Sequence, residues 1–310
     1  MGRHKRGTLD GMWSMPRWQT LAAGALGAAA DLVAPLVCAA CHTWIPSGAG
    51  HLCSPCQTGL DRLVRLPHCT RCGRAARRES ILEHGCAACD SESHWNVGNV
   101  SALGPYHEPL ATIVRELKYR GDTRCAAILA GRMAERLRPE PWLATVDALV
   151  PVPMHWLRRL QRPCAHAAVL ADALAKALRL PLLPLVTRVR YAPSQTHIPI
   201  RTRRFSNVAD CFALAHPDAV RRVPRRDARS RGPVLCIVDN LLMSGATVHE
   251  VSRVLRAGGA GRVHLAVAAR TRSDGDAAVA GLLAAEAHGT ASASSSGCAP
   301  ADQPDERFMR

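Results

Sequence analysis

Apolar and polar positions change rhythm along this chain. From about residue 99 onward, short apolar runs alternate with stretches of helical spacing. Residues 100–106 read as a strand, and residues 146–152 as a short buried strand that leaves its sheet through Pro151-Val152-Pro153. Residues 234–238 and 263–269 are apolar runs of the kind found in strands buried on both faces. Between these runs, Leu110, Ile113, Val114 and Leu117 recur at helical spacing, as do Leu129, Met133 and Leu137. A third amphipathic set comprises Val169, Leu170, Ala173, Leu174, Ala177 and Leu178. Strands separated by helices predict an α/β domain, with a mostly parallel sheet and helices on both faces. The first of the two later strands is expected to end at Asp239-Asn240.

Elsewhere the rhythm is missing. Residues 1–37 read as a tail and short helix, residues 38–97 as a cysteine-rich module, and residues 98–272 as the α/β domain. Residues 215–232 form an Arg/Pro-rich linker, and residues 273–310 an Ala/Ser/Gly-rich tail expected to be disordered. The basic, then Ala/Gly/Leu-rich N-terminus has the look of a secretory signal, but Asp31 interrupts the apolar run. Val37 also stands directly before Cys38, where a lipoprotein signal needs a small residue. A cytoplasmic location is therefore expected.

Composition sharpens this reading. Hydrophobic residues make up 47% of the 310, enough for a real core, while no apolar run approaches the ~20 residues of a bilayer-spanning helix. Lys and Arg number 40 against 25 Asp and Glu, a net charge of +15. Only Lys5, Lys118 and Lys176 are lysines. The excess is concentrated: residues 151–235 hold 16 basic and four acidic residues, +12 of the +15. One polyanion-facing region is expected there.

Eight of the 13 cysteines form four CxxC pairs, Cys38/Cys41, Cys53/Cys56, Cys69/Cys72 and Cys86/Cys89. Each pair presents two thiolates from one turn, and two pairs complete a tetrahedral zinc site. The expectation is two structural zinc ions, with no open coordination position for catalysis. An iron–sulfur cluster, a disulfide cluster or a site without metal are the alternatives, and the pairs can combine in order or interleave. Cys125, Cys164, Cys211, Cys236 and Cys298 are scattered singly.

The chemistry concentrates in residues 234–255, VLCIVDNLLMSGATVHEVSRVL. A strand leads to Asp239-Asn240, and a loop holding Met243, Ser244, Gly245, Ala246 and Thr247 opens a helix. Glycine permits the sharp turn, and successive N–H groups at a helix N-terminus make an oxyanion cradle. An acidic residue at the strand end can hold sugar hydroxyls, and ligands collect at the carboxyl ends of parallel strands.

This segment resembles the phosphoribosyl-pyrophosphate (PRPP) motif of type I phosphoribosyltransferases. The chain from Cys38 to Thr271 resembles the ComF family, a zinc-ribbon region fused to a phosphoribosyltransferase-like domain. Leu117-Lys118-Tyr119-Arg120-Gly121 is similar to that family's L-K-Y-x-G signature, and residues 147–153 to its strand and P-V-P turn. Gln195, Arg204, Asn207-Val208 and Phe212 are similar to its Q…R-x-x-N-V…F region. The resemblance implies a type I phosphoribosyltransferase-like fold, in which Asp239 and Asn240 hold the ribose and residues 243–247 the 5′-phosphate. It also implies magnesium arriving with PRPP, and a part in DNA uptake, with single-stranded DNA and DNA-uptake proteins as partners.

Some positions depart from the family pattern. Arg162-Pro163-Cys164-Ala165-His166 stands where R-G-F-N-Q is usual, and Asn240 replaces the second acid. Met243 and Ser244 stand in for threonines. Loss of one carboxylate is expected to cost ~1.5–3 kcal/mol of binding. Backbone phosphate anchoring is expected to persist while transfer is weakened. Arg158, Arg159 and Arg162 are candidates to face pyrophosphate, and Arg201, Arg203 and Arg204 lie in the expected flap. Trp156, Tyr191 and Phe205 lie among these arginines. His155, His166 and His197 have no spacing that assigns them a role.

Overall fold

The computed structural model describes residues 36–271, apart from 47, 49, 83, 87, 88, 90–95 and 193–200, together with 281 and 284. The expected N-terminal helix, the C-terminal tail apart from 281 and 284, Gln195 and His197 lie outside the described residues.

Helix α1 (Ser54–Arg65) follows the first cysteines, and a short antiparallel pair, β1 (Ile81–Leu82) and β2 (Gly85–Cys86), lies among the second set. Next come β3 (Val100–Pro105), α2 (Leu110–Arg115), a π-helical turn (Glu116–Arg120), α3 (Thr123–Leu137) and β4 (Ala148–Pro151). Then follow α4 (Trp156–Gln161), α5 (His166–Leu178), β5 (Val186–Arg188), α6 (Arg201–Val208) and β6 (Phe212–Leu214). The chain continues through β7 (Val234–Leu242) and α7 (Ala246–Ala257) to β8 (Arg262–Arg270).

Four strands form one parallel sheet in the order β3-β8-β7-β4. Side chains alternate between its faces and so divide the core in two. Leu103, Leu149, Cys236, Val238, Ala266 and Ala268 join Leu129, Met133 and Leu137 of α3 and Leu170 and Leu174 of α5. Val100, Val150, Leu235, Ile237, Leu265 and Val267 join Val251 and Leu255 of α7. Burial on both faces explains why these strands read as unbroken apolar runs. The cysteine module shares these cores, with Cys38 and Cys56 in the first and Cys69, Cys72, Cys86 and Cys89 in the second.

Two expectations need correction. Strand β7 does not end at Asp239-Asn240; it runs on to Leu242, because Leu241 and Leu242 still pair with Ala269 and Arg270 of β8. Residues 215–232 do not behave as a bare linker. Val220 and Val223 are buried in the second core. The buried carboxylate of Asp147 accepts from the N–H groups of Arg226 (2.5 Å) and Val234 (2.7 Å), fastening that loop to the start of β7. The expected amphipathic helix forms as α5: Leu170 and Leu174 are buried in the first core with Ala167, Ala171 and Ala175, and Val169, Ala173, Ala177 and Leu178 pack against it.

Candidate functional site

The cysteines gather in chain order. Cys38, Cys41, Cys53 and Cys56 form one cluster, and Cys69, Cys72, Cys86 and Cys89 a second, each with its sulfurs within 4.8 Å of one another. The close Sγ···Sγ separations are 3.6 Å (Cys41–Cys53, Cys69–Cys89, Cys72–Cys86) and 4.0 Å (Cys86–Cys89). A tetrahedron of four thiolates with Zn–S bonds of ~2.3 Å has edges of about 3.8 Å, so the donor set fits zinc. The separations are far from the ~2.05 Å of a disulfide, and closer than thiolates set around a multi-iron cluster. Both clusters are consistent with structural zinc. Cys53 precedes α1 and Cys56 sits in its first turn, where the helix N-terminus favours thiolate charge. The N–H of Cys53 donates to Cys38 Sγ (3.3 Å), and that of Arg71 to Cys69 Sγ (3.4 Å).

A cavity of about 490 Å³ lies at the carboxyl ends of β4 and β7. Asp239 and Asn240 of β7 form one wall, with Met243, Gly245 and Thr247 at the loop that opens α7. Gly245 caps that helix at φ 80°, a left-handed conformation that costs a side-chain-bearing residue ~1–2 kcal/mol. Its geometry turns the strand into the helix within three residues, leaving Gly245, Thr247 and Val248 at the cavity. Ser244 and Ala246 stand behind the loop: Ser244 is buried, and its Oγ accepts from the Ala246 N–H at 3.4 Å.

Of the predicted arginines, Arg158, Arg159 and Arg162 line the cavity. Arg158 Nη2 donates to the Ala192 carbonyl (3.0 Å) and lies over Tyr191, while Arg162 lies 4.4 Å over the Tyr119 ring. Arg203 and Arg204 belong to α6, which packs on α7 through Phe205 and His249, and neither is among the residues that line the cavity. Arg201 opens α6.

The cavity also has lining residues to which sequence reasoning assigned no role at the site. Lys118 comes from the π-helical turn, which Gly121 closes at φ 70° with Pro163 packed against it. The physical basis of the Lys-Tyr-x-Gly pattern is thus a left-handed stop that sets Lys118 at the cavity. Arg188 of β5 and His166 at the start of α5 complete the wall. His166 Nδ1–H donates to Asn240 Oδ1 (3.3 Å), so the imidazole at the first altered position meets the amide at the second. No spacing in the chain links residues 74 apart. Only the fold joins them.

Burial pushes Asp239 up to about 6, opposed by the Asn240 N–H that donates to its Oδ1 (2.8 Å) and by the charge of Lys118. Burial, with help from Lys118, drives His166 down to about 4, so the ring is neutral at pH 7.

Arg270, at the end of β8, is buried and holds the loop from behind. Nε donates to the Cys72 carbonyl (3.2 Å), and Nη1 to the carbonyls of Leu242 (3.0 Å) and Met243. On the far side, the Glu250 carboxylate of α7 accepts from the Asp210 N–H (2.8 Å) and pairs with Arg253 (2.7 Å), tying α7 to the residues that follow α6.

An α/β parallel sheet with a basic cavity at its strand ends and two four-cysteine clusters on its flanks thus defines the class. No family model matches the chain. Competence protein F of Haemophilus influenzae is 27% identical over 227 residues, spanning 71% of this chain and 90% of its own. DNA utilization protein YhgH of Salmonella typhimurium is 26% identical over 245 residues, 77% of this chain and 99% of its own. YhgH of Escherichia coli K12 is 26% identical over 234 residues, 69% and 97% respectively. The chain is thus homologous to competence and DNA-utilization proteins over nearly their full length. Among solved structures, TT1426 of Thermus thermophilus aligns with 51% of this chain and 88% of its own, at 17% identity and a TM-score of 0.26. Among the described residues no helix is long and apolar enough to cross a membrane.

Proposed function

We propose that this chain is a ComF-type accessory protein for handling single-stranded DNA, built on a phosphoribosyltransferase-like domain that retains a phosphoribosyl-ligand pocket. The observation that carries the reading is one cavity holding Asp239, Gly245, Thr247 and an arginine-rich rim at the carboxyl ends of parallel strands. The loop N–H groups would take a 5′-phosphate, Asp239 a ribose hydroxyl, and Arg158, Arg159 and Arg162 a pyrophosphate or the next phosphates of a strand. The ligand is PRPP or a related phosphoribosyl compound. The two zinc ions hold the cysteine module against the sheet, a structural role with no open coordination position.

Similarity to proteins named for competence and DNA utilization supports the DNA role. So does the mouth of the cavity. Trp156 there is 63% exposed and Tyr191 44%, with Arg158 over the Tyr191 ring, an arrangement that suits base stacking next to phosphate contacts. Filter binding of a single strand across a salt series tests this. Affinity should fall steeply as salt rises. Binding absent at low salt, or flat with salt, removes the DNA role. Thermal melting with millimolar PRPP and magnesium tests the pocket; an unchanged melting temperature counts against it.

A further inference from the structure

We propose that the pocket takes its phosphoribosyl ligand without a divalent cation, the His166–Asn240 pair receiving a ribose hydroxyl in place of a second carboxylate. The proposal rests on the pocket reading given above and deepens it.

The hydrogen bond from His166 Nδ1–H to Asn240 Oδ1 settles the division of roles. It leaves Nε2 with a free lone pair, and Nε2 makes no hydrogen bond among the described residues. Asn240 is only 2% exposed, and its Nδ2 is closed to solvent, so its part is to hold the ring through Oδ1. The group on offer at the cavity wall is the His166 Nε2 lone pair, an acceptor to which a ribose hydroxyl can donate.

The charge of the lining points the same way. Asp239 is its single carboxylate among the described residues, against Lys118, Arg158, Arg159, Arg162 and Arg188. Magnesium takes hard oxygen donors, usually one or two carboxylates together with substrate phosphates. Here the groups around His166 are Lys118, Arg158 and Arg162, with only amide oxygen in contact. The lining adds at most the Asp239 carboxylate to such a set, and its fixed cations compete with magnesium for the same phosphates. Arginine guanidinium groups neutralise phosphates directly, through paired N–H donors.

Calorimetric titration of ribose 5-phosphate and of PRPP into the full chain tests the proposal, in metal-depleted buffer and in millimolar magnesium. Omitting magnesium, rather than adding a chelator, leaves the cysteine clusters intact. The expected result is a dissociation constant unchanged to within about threefold between buffers. His166→Ala should weaken binding about tenfold in both. The double variant His166→Gln/Asn240→Asp, whose new carboxylate faces no imidazole, should bind at least about tenfold better with magnesium than without. A loss of about tenfold or more for the unaltered chain without magnesium overturns the proposal. Undiminished binding by a folded His166→Ala does so too. Failure of both ligands in both buffers overturns the pocket reading itself. If His166→Ala does not fold, the magnesium comparison on the unaltered chain decides alone.

Discussion

Arg270 donates from Nε to the carbonyl of Cys72 at 3.2 Å, so the second cysteine cluster and the Gly245 loop share one buried guanidinium. An apolar residue of similar length would take this donor from the Cys72 and Met243 carbonyls, while the Leu242 carbonyl keeps the Thr271 N–H at 2.9 Å. Arg270→Met should therefore destabilise the fold by about 2–4 kcal/mol, read by urea unfolding. It should also loosen the loop, weakening phosphate-ligand binding beyond what a surface arginine variant does. A variant that unfolds like the unaltered protein would show that these contacts carry little.

The same link makes zinc content a second test. Elemental analysis should return two zinc ions per chain, and Cys72→Ser about one, with a lower melting temperature. Because the Cys72 carbonyl reaches Arg270, this variant should also lose ligand affinity, whereas Cys41→Ser, on the opposite face of the sheet, should lose stability with a smaller effect on affinity. Iron in place of zinc, or equal affinity losses from both variants, would contradict the arrangement.

Gly245→Ala adds a side chain at φ 80°. The left-handed conformation should cost ~1–2 kcal/mol of stability. The strained loop should bind the 5′-phosphate several-fold more weakly, measured against Gly131→Ala, a helical glycine with open space around it.

The acid at the strand end predicts a pH dependence with a definite sign. Asp239 is raised by burial to about 6, so the protonated form is favoured in the folded state. The stability this contributes is complete below the ordinary aspartate range, and is lost as pH rises through about 6. Asp239→Asn should accordingly melt higher than the unaltered chain at about pH 8 and equal it near about pH 4. Ligand binding runs the other way. A ribose hydroxyl donates to the carboxylate, so affinity should fall as pH drops below about 6, measured by titration in buffers of equal ionic strength.

Much of this is legible along the chain, and what is not has a physical reason. Strands buried on both faces leave long apolar runs, so residues 234–238 and 263–269 declare the sheet. The CxxC spacing declares the metal clusters, though not their pairing, which depends on how α1 and the β1–β2 pair fold back. Met243, Gly245 and Thr247 are readable because a strand-to-helix turn on glycine is local. Lys118 and His166 are visible only as motif positions without a place in the site, and Arg188 and Arg270 not at all, because each reaches the site or its support from a different element. The polar pair Asp239-Asn240 reads as a strand end, yet pairing with β8, a long-range fact, carries β7 to Leu242. Val220 and Val223 are hidden in the same way by the arginines and prolines around them.

The most direct test of the central claim is a crystal structure of the protein with PRPP soaked at saturating concentration. The account predicts the 5′-phosphate on the N–H groups of residues 245–247 and the ribose against Asp239, with pyrophosphate toward Arg158, Arg159 and Arg162. An empty cavity, or ligand bound only on the outer arginines, would contradict it.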